Sequence, residues 1–290
     1  MESGAHMYNK DRDVISKPEA LASAQKLAEQ LKCNTTEQWL QCLRGVDAKE
    51  FIKIVSFLTY PVEGTEFLPI SYNKAFETKK FNSGYNNIKS IISNRVLNIC
   101  ILIDIDLMAG MTSDEASGML NQMFPDVHNL TVEEFKFLVS TINQIYHGLD
   151  AENVTQFYFK NIDPKDPGAS VRAFEVFLGD LSLKCPTYLF AKQFATNAPS
   201  KNVYSYELTF ESQFMTNATG CPPGKVCHSA DIPFVFGRPF INPDLFSHEE
   251  TVFSRDIMKM WTNFAKTGYK LIFKNIVKPG LLFNKLFICF

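Results

Sequence analysis

Apolar positions recur at two spacings along this chain: every third or fourth residue over long stretches, and every second residue or in short runs elsewhere. Leu21, Ala24, Leu27, Ala28 and Leu31 share one face of a predicted helix over 18–32, with Pro18 suited to its first turn. Shorter helical patterns follow over 36–43 and 47–52, the second with Asp47 as its cap. Thr131-Val132-Glu133-Glu134 is a capping box ahead of Phe135, Leu138, Val139 and Ile142. Ser247-His248-Glu249-Glu250 is another, opening a helix that runs through Met258, Trp261 and Phe264 to Gly268. Between these, residues 167–195 set Phe174, Leu178, Leu181, Leu189 and Phe190 on a broad apolar face, with Cys185-Pro186 inside the segment. Strand signals are fewer. Residues 107–111 read as a short buried strand that empties into the loop Thr112-Ser113-Asp114-Glu115-Ala116-Ser117-Gly118. Residues 203–210 alternate Val, Ser, Glu and Thr against Tyr, Tyr, Leu and Phe, the period of a strand with one strongly apolar face.

Composition narrows the class. The 290 residues are 46% hydrophobic with 26 phenylalanines, enough to bury a core. A net charge of -2 without strong basic or acidic blocks argues against nucleic acid or an anionic membrane as the main partner. No apolar stretch reaches the about 18 residues that span a bilayer, and Met1-Glu2-Ser3-Gly4-Ala5-His6 is not a signal peptide. Two features nevertheless point to a secreted or extracellular setting. Glycosylation sequons begin at Asn34, Asn129, Asn153 and Asn217. Among the seven cysteines, Cys33 with Cys42 and Cys221 with Cys227 form close pairs suited to disulfides in an oxidising compartment, free buried thiols being the alternative.

One candidate for chemistry stands out. His228 sits just after a Pro/Gly-rich loop, at the mouth of the apolar run Ile232-Pro233-Phe234-Val235-Phe236, with Asp231 three residues on. A neutral imidazole near pH 7 can take and return a proton, which suits a general base in acyl transfer, although a histidine in such a place is more often simply packed or solvated. Cys221, Cys227 and His228 would give only three zinc ligands, with no fourth at usual spacing, and no glycine-rich phosphate loop is present, so no metal or cofactor is predicted. His6, His128, His147 and His248 lack any motif context and read as surface residues.

The run His228-Ser229-Ala230-Asp231-Ile232-Pro233-Phe234-Val235-Phe236-Gly237 resembles the histidine segment of type-B carboxylesterases and cholinesterases, which are α/β-hydrolase serine esterases. Met260-Trp261-Thr262-Asn263-Phe264-Ala265-Lys266-Thr267-Gly268 is similar to that family's Trp-x-Asn-Phe-Ala-(Lys/Arg)-x-Gly. Asp114-Glu115-Ala116 resembles the acidic loop after a strand, where Glu115 would be the third triad member, accepting a hydrogen bond from His228 and stabilising the imidazolium. By spacing alone, Asp114 and Glu115 read more readily as the start of the next helix, and the resemblance reverses that reading. The family's serine–acid–histidine order agrees with this assignment. Asp180 resembles the Gly-Asp pair of a family helix and is read as structural. The resemblance implies a partial α/β-hydrolase fold over 1–268, acting on ester bonds of small molecules. A general carboxylesterase is favoured over an acetylcholinesterase, because Ala116-Ser117-Gly118-Met119-Leu120 lacks the aromatics that would bound a choline pocket.

The same resemblance exposes what the chain does not carry. Glu2-Ser3-Gly4 matches the triplet that follows the nucleophile region, so the sequence is expected to begin just downstream of the catalytic serine. No serine here has glycine both two before and two after it, and no two glycines are adjacent, so neither nucleophile elbow nor glycine-rich oxyanion loop is found. The expectation is therefore an inactive relative of an esterase, with a non-catalytic adhesion-type homologue as the other reading. Residues 85–103 and 269–290, both rich in Ile, Asn, Lys and Leu, interrupt the resemblance and are expected to be translated intron; a native strand over 96–103 is the alternative. In the family the cysteine matching Cys185 pairs near the C-terminus, where only Cys289 is on offer. With much of a doubly wound sheet missing, uncovered strand edges predict instability or aggregation.

Overall fold

The computed structural model describes residues 1–4, 14–33, 38–54, 61–80, 105–117, 130–146, 148–160, 162–163, 166, 168–268 and 281–283. The 85–103 insert and the alternative strand over 96–103 fall outside the described residues, as does most of the 269–290 tail. The described residues divide into two compact units: 1–4 with those from 105 onwards form one, and those between 14 and 80 the other.

The named elements of the smaller unit are helices, and an isolated parallel bridge pairs Ile15 with Val62. Its first helix, α1 (Lys17–Gln30), carries a complete capping box between Ser16 and Glu19 and has Pro18 in its first turn, where a missing N–H costs nothing. Helices α2 (Trp39–Arg44), α3 (Ala48–Ile54) and α4 (Tyr72–Glu77) follow. Asp47 caps α3 by accepting from the Lys49 amide at 2.9 Å. The Cys33–Cys42 disulfide ties the end of α1 to α2.

In the larger unit, β1 (Leu107–Thr112) and β2 (Val203–Leu208) pair in parallel with Gly110 opposite Tyr206, and β3 (Leu281–Phe283) joins β2 antiparallel. Parallel neighbours need a long crossover, and helices supply it here. These are α5 (Val132–Tyr146), α6 (Ala151–Phe159), α7 (Ala169–Gly179), a π-helical turn Asp180–Lys184 and α8 (Cys185–Asn197). The apolar stripe of residues 167–195 predicts one helix; the structure interrupts it with the π turn. Pro186 at the start of α8 has no amide to bond back four residues, and the wider turn absorbs that loss. Phe135 centres the crossover core, edge-on to Phe159 at 4.9 Å and to Phe174 at 5.8 Å.

The alternation in β2 predicts one apolar face, and Tyr206 and Leu208 are indeed buried. Glu207 is buried as well, because helices cover its face of the sheet, and Lys184 at 3.2 Å balances its charge. After β2 come α9 (Gln213–Thr219), the histidine loop, α10 (Ile232–Val235), α11 (Arg238–Ile241), a 3₁₀ turn Pro243–Leu245 and α12 (His248–Thr267). The second core lies here, around the fully buried Phe234, with Phe210, Phe246 and Phe253 against it. Strands flanked by helices in this order make a partial α/β-hydrolase fold, as the resemblance implies.

Candidate active site

The site forms where the end of β1 meets the loop ahead of α10. At Thr112 the strand turns, and Glu115 folds back so that its carboxylate accepts the Thr112 amide at 2.7 Å. The residue is fully buried. Its second oxygen meets Nδ1 of His228 at 2.8 Å. Since a carboxylate only accepts, this contact places the proton on Nδ1 and leaves Nε2 for other chemistry. The hydrogen bond to Glu115 raises the imidazole pKa above its ordinary value; burial works against it, and the charges of Glu115 and Asp231 add to the rise. The His228 side chain remains 37% exposed, so its outer edge is reachable.

A third group, which the sequence reading places only in a triplet, completes the surroundings of Glu115. Ser3 donates its hydroxyl to Oε1 of the carboxylate. It reaches there because residues 1–3 run along β1 on the side away from β2: the Ser3 amide donates to Gly110 O at 2.8 Å, and the Gly110 amide donates to Met1 O at 3.0 Å. Three residues are too few for a periodic pattern, so no sequence signal marks this pairing. Glu2 points the other way and accepts the indole N–H of Trp261 at 2.7 Å. Asp231, also buried, has its pKa pushed up to about 6, chiefly by burial and then by the charge of Glu2.

The histidine loop is held by its own turn. The Ala230 amide donates to Cys227 O at 3.1 Å, and Ser229 takes a left-handed φ of 70°. Immediately before His228, Cys227 is bonded to Cys221, and both are buried. The two close cysteine pairs are thus disulfides. Cys185 is disulfide-bonded too, while Cys289 lies outside the described residues. Asp180 accepts the Tyr158 hydroxyl at 2.9 Å within the crossover, away from the imidazole.

The structure therefore brings Glu115 and His228 together. Among the described residues, no serine, threonine or cysteine side chain hydrogen-bonds the imidazole; the Ser3 hydroxyl is engaged by Glu115 instead. No group of three or more His, Cys, Asp or Glu suited to a metal occurs among the described residues. No described helix is long and apolar enough to cross a membrane. Asn153 and Asn217 are exposed, on α6 and α9; Asn34 and Asn129 lie outside the described residues. His248 is exposed at the first position of α12, and the other three unassigned histidines lie outside.

Comparison with known proteins places this geometry. The chain is 24% identical to a cholinesterase of Mus musculus over 240 residues, which is 80% of this chain and 37% of that protein. It is 25% identical to acetylcholinesterase-1 of Trittame loki over 170 residues, 56% of this chain and 30% of that protein. Bile salt-activated lipase of Homo sapiens is 28% identical over 171 residues, 57% of this chain and 22% of the lipase. The chain thus spans well under half the length of the relatives it matches. A model of the carboxylesterase family matches residues 3–278, nearly the whole sequence and a span that includes Glu115 and His228, so the chain belongs to the carboxylesterase family.

Proposed function

We propose that this chain carries the acid–base pair of a serine-type carboxylic ester hydrolase and that the 290-residue polypeptide does not itself turn over esters. The 2.8 Å contact between His228 Nδ1 and buried Glu115 is the observation that carries the reading. In this chemistry His228 Nε2 takes the proton of a serine hydroxyl as that oxygen attacks the ester carbonyl. It then hands the proton to the departing alkoxide, and later withdraws one from water to release the acid. Glu115 holds Nδ1–H in place and stabilises the imidazolium. A base must be neutral to act, so the raised pKa of His228 moves its working range to higher pH.

The sequence holds no Gly-x-Ser-x-Gly and no adjacent glycines for an oxyanion loop, which supports inactivity. Small-molecule esters are the substrate class of the corresponding enzyme, and a general carboxylesterase is favoured over an acetylcholinesterase. The disulfides and the exposed Asn153 and Asn217 support a glycosylated, extracellular protein. The missing elbow also favours a second reading, a non-catalytic cholinesterase-like binding protein. The test is to incubate the purified chain with p-nitrophenyl acetate, with and without an organophosphate. We expect no turnover that the organophosphate removes; such turnover, with stoichiometric labelling of the chain, overturns the proposal.

A further inference from the structure

The acid loop and the histidine loop meet at two places, and only one of them is the contact between Glu115 and His228. One residue earlier on the acid side, the Asp114 amide donates to Val226 O at 3.0 Å. The Asp114 carboxylate answers by accepting the Val226 amide at 3.1 Å and the ammonium of Lys225 at 2.8 Å. Ser113 donates its hydroxyl to the same carboxylate at 2.6 Å. Both charged partners are largely shielded, with side-chain exposures of 28% for Lys225 and 19% for Asp114. These bonds outweigh burial and hold the Asp114 carboxyl below its usual range. Between Val226 and His228 lies Cys227, fixed to Cys221. The segment that presents the imidazole is thus tied to the acid loop on one side and to the end of α9 on the other.

We propose that Asp114, acting with Lys225 and the Cys221–Cys227 bridge, is a positioning residue that sets the register of the histidine loop on the acid loop and so delivers His228 Nδ1 to Glu115. The proposal rests on reading Glu115 and His228 as the acid–base pair. Its physical basis is tolerance: a hydrogen bond at 2.8 Å is lost after a shift of less than about 1 Å. With its side chain 37% open to solvent, the ring is packed on its covered side only and relies on the backbone that presents it. Asp114 is not among the groups whose charge sets the His228 pKa; those are Glu115 and Asp231.

The experiment follows the His228 imidazole by ¹⁵N NMR in the full oxidised chain, with H228Q to assign its signals. Variants are E115Q, D114A, K225A and K225R. In the unaltered chain we expect the ring to titrate above the ordinary value of about 6.5 and to show a protected Nδ1 proton, since Nδ1 lies 2.8 Å from the Glu115 carboxylate. In both D114A and K225A we expect the titration to fall towards that value and the Nδ1 proton to broaden into exchange, with K225R restoring both. Direct charge effects would move the two variants in opposite directions, because one deletes an anion and the other a cation. A positioning role lowers both. If E115Q lowers the titration while D114A and K225A leave it unchanged, or shift it oppositely, the positioning role is overturned. If E115Q itself leaves it unchanged, the acid–base pair is refuted. K225A alters a partly exposed side chain, so it decides the matter even if D114A fails to fold.

Discussion

Glu250 offers the sharpest test of how the histidine segment is held. It is the third residue of α12 and is buried, yet it serves two helix starts at once. Its Oε2 accepts the Ser247 amide at 2.8 Å and closes the capping box of α12. Its Oε1 accepts the Ser212 hydroxyl at 2.6 Å and the Phe214 amide at 3.1 Å, at the first turn of α9. Those two helices bracket residues 220–247, and the imidazole with them. Hydrogen bonds to a charged acceptor contribute about 1.5–3 kcal/mol each, and a buried amide left without a partner costs a further share. The Ser212 hydroxyl can turn elsewhere, but the two amides cannot. We therefore expect Glu250→Ala to cost about 3–4 kcal/mol and Glu250→Gln, which keeps one accepting oxygen, about half of that. With a urea slope of about 2 kcal/mol/M, the alanine midpoint falls by about 1.5–2 M. Trp261, on the same helix, reports the transition by fluorescence. The hydrogen bonds depress the Glu250 pKa, outweighing burial. A depressed carboxylate stabilises the fold fully above its unfolded value of about 4.3 and loses that contribution as pH falls through its lower folded value. The gap between the unaltered chain and Glu250→Gln should thus be full at pH 7 and close on acidification below pH 4. A loss under about 1 kcal/mol in Glu250→Ala, or a gap independent of pH, refutes the argument.

Two further outcomes follow from the same interior. A methyl group at Gly110 would interpenetrate the ring of Tyr206, which is buried edge-on against Trp261 at 5.1 Å; Gly110→Ala should cost at least about 1–3 kcal/mol by urea unfolding, and an unchanged midpoint would show that the ring can leave freely. Asp231, with its pKa raised to about 6, opposes folding once ionised, so Asp231→Asn should stabilise the chain by on the order of 2 kcal/mol above pH 6.5, and the gain should vanish below pH 4. Thermal melts across that range check the sign, and a destabilised variant at pH 7 would refute it.

What the sequence made legible was what repeats or punctuates. The capping boxes at Thr131 and Ser247 precede real helices because serine or threonine followed three residues on by glutamate satisfies local amides without help from elsewhere. The alternation in β2 was equally plain. Glu115 and His228, the proposed acid and base, stand out by motif and not by periodicity, since one buried glutamate after a strand looks like a helix start. Hidden from any pattern were the contacts between distant segments: Ser3 with Glu115, Asp114 with Lys225 and Val226, Glu250 with Ser212. Each joins residues far apart in the chain through one or two polar atoms, and no spacing rule records such a meeting. The π turn was hidden for a related reason, because helical periodicity does not distinguish turns that differ by one residue.

The acid loop is held from more sides than the histidine alone would require. Lys184, projected by the π turn, donates to Ser113 O at 3.2 Å and to buried Glu207 at 3.2 Å. Gly179, one residue before that turn, lets α7 approach so closely that an added Cβ would stand 3.3 Å from the Ala116 amide. Asp114 is tied to Lys225 and Val226, and the Glu115 carboxylate to the Thr112 amide. None of these tethers involves a nucleophile. The acid's position is therefore a property of the crossover helices and of β1, assembled whether or not a serine elbow stands opposite the imidazole. It follows that a well-formed contact between Glu115 and His228 fits the family and the proposed acid–base role, but is not evidence of turnover. Only a hydroxyl presented to Nε2, with amide donors for the oxyanion beside it, would make this pair catalytic.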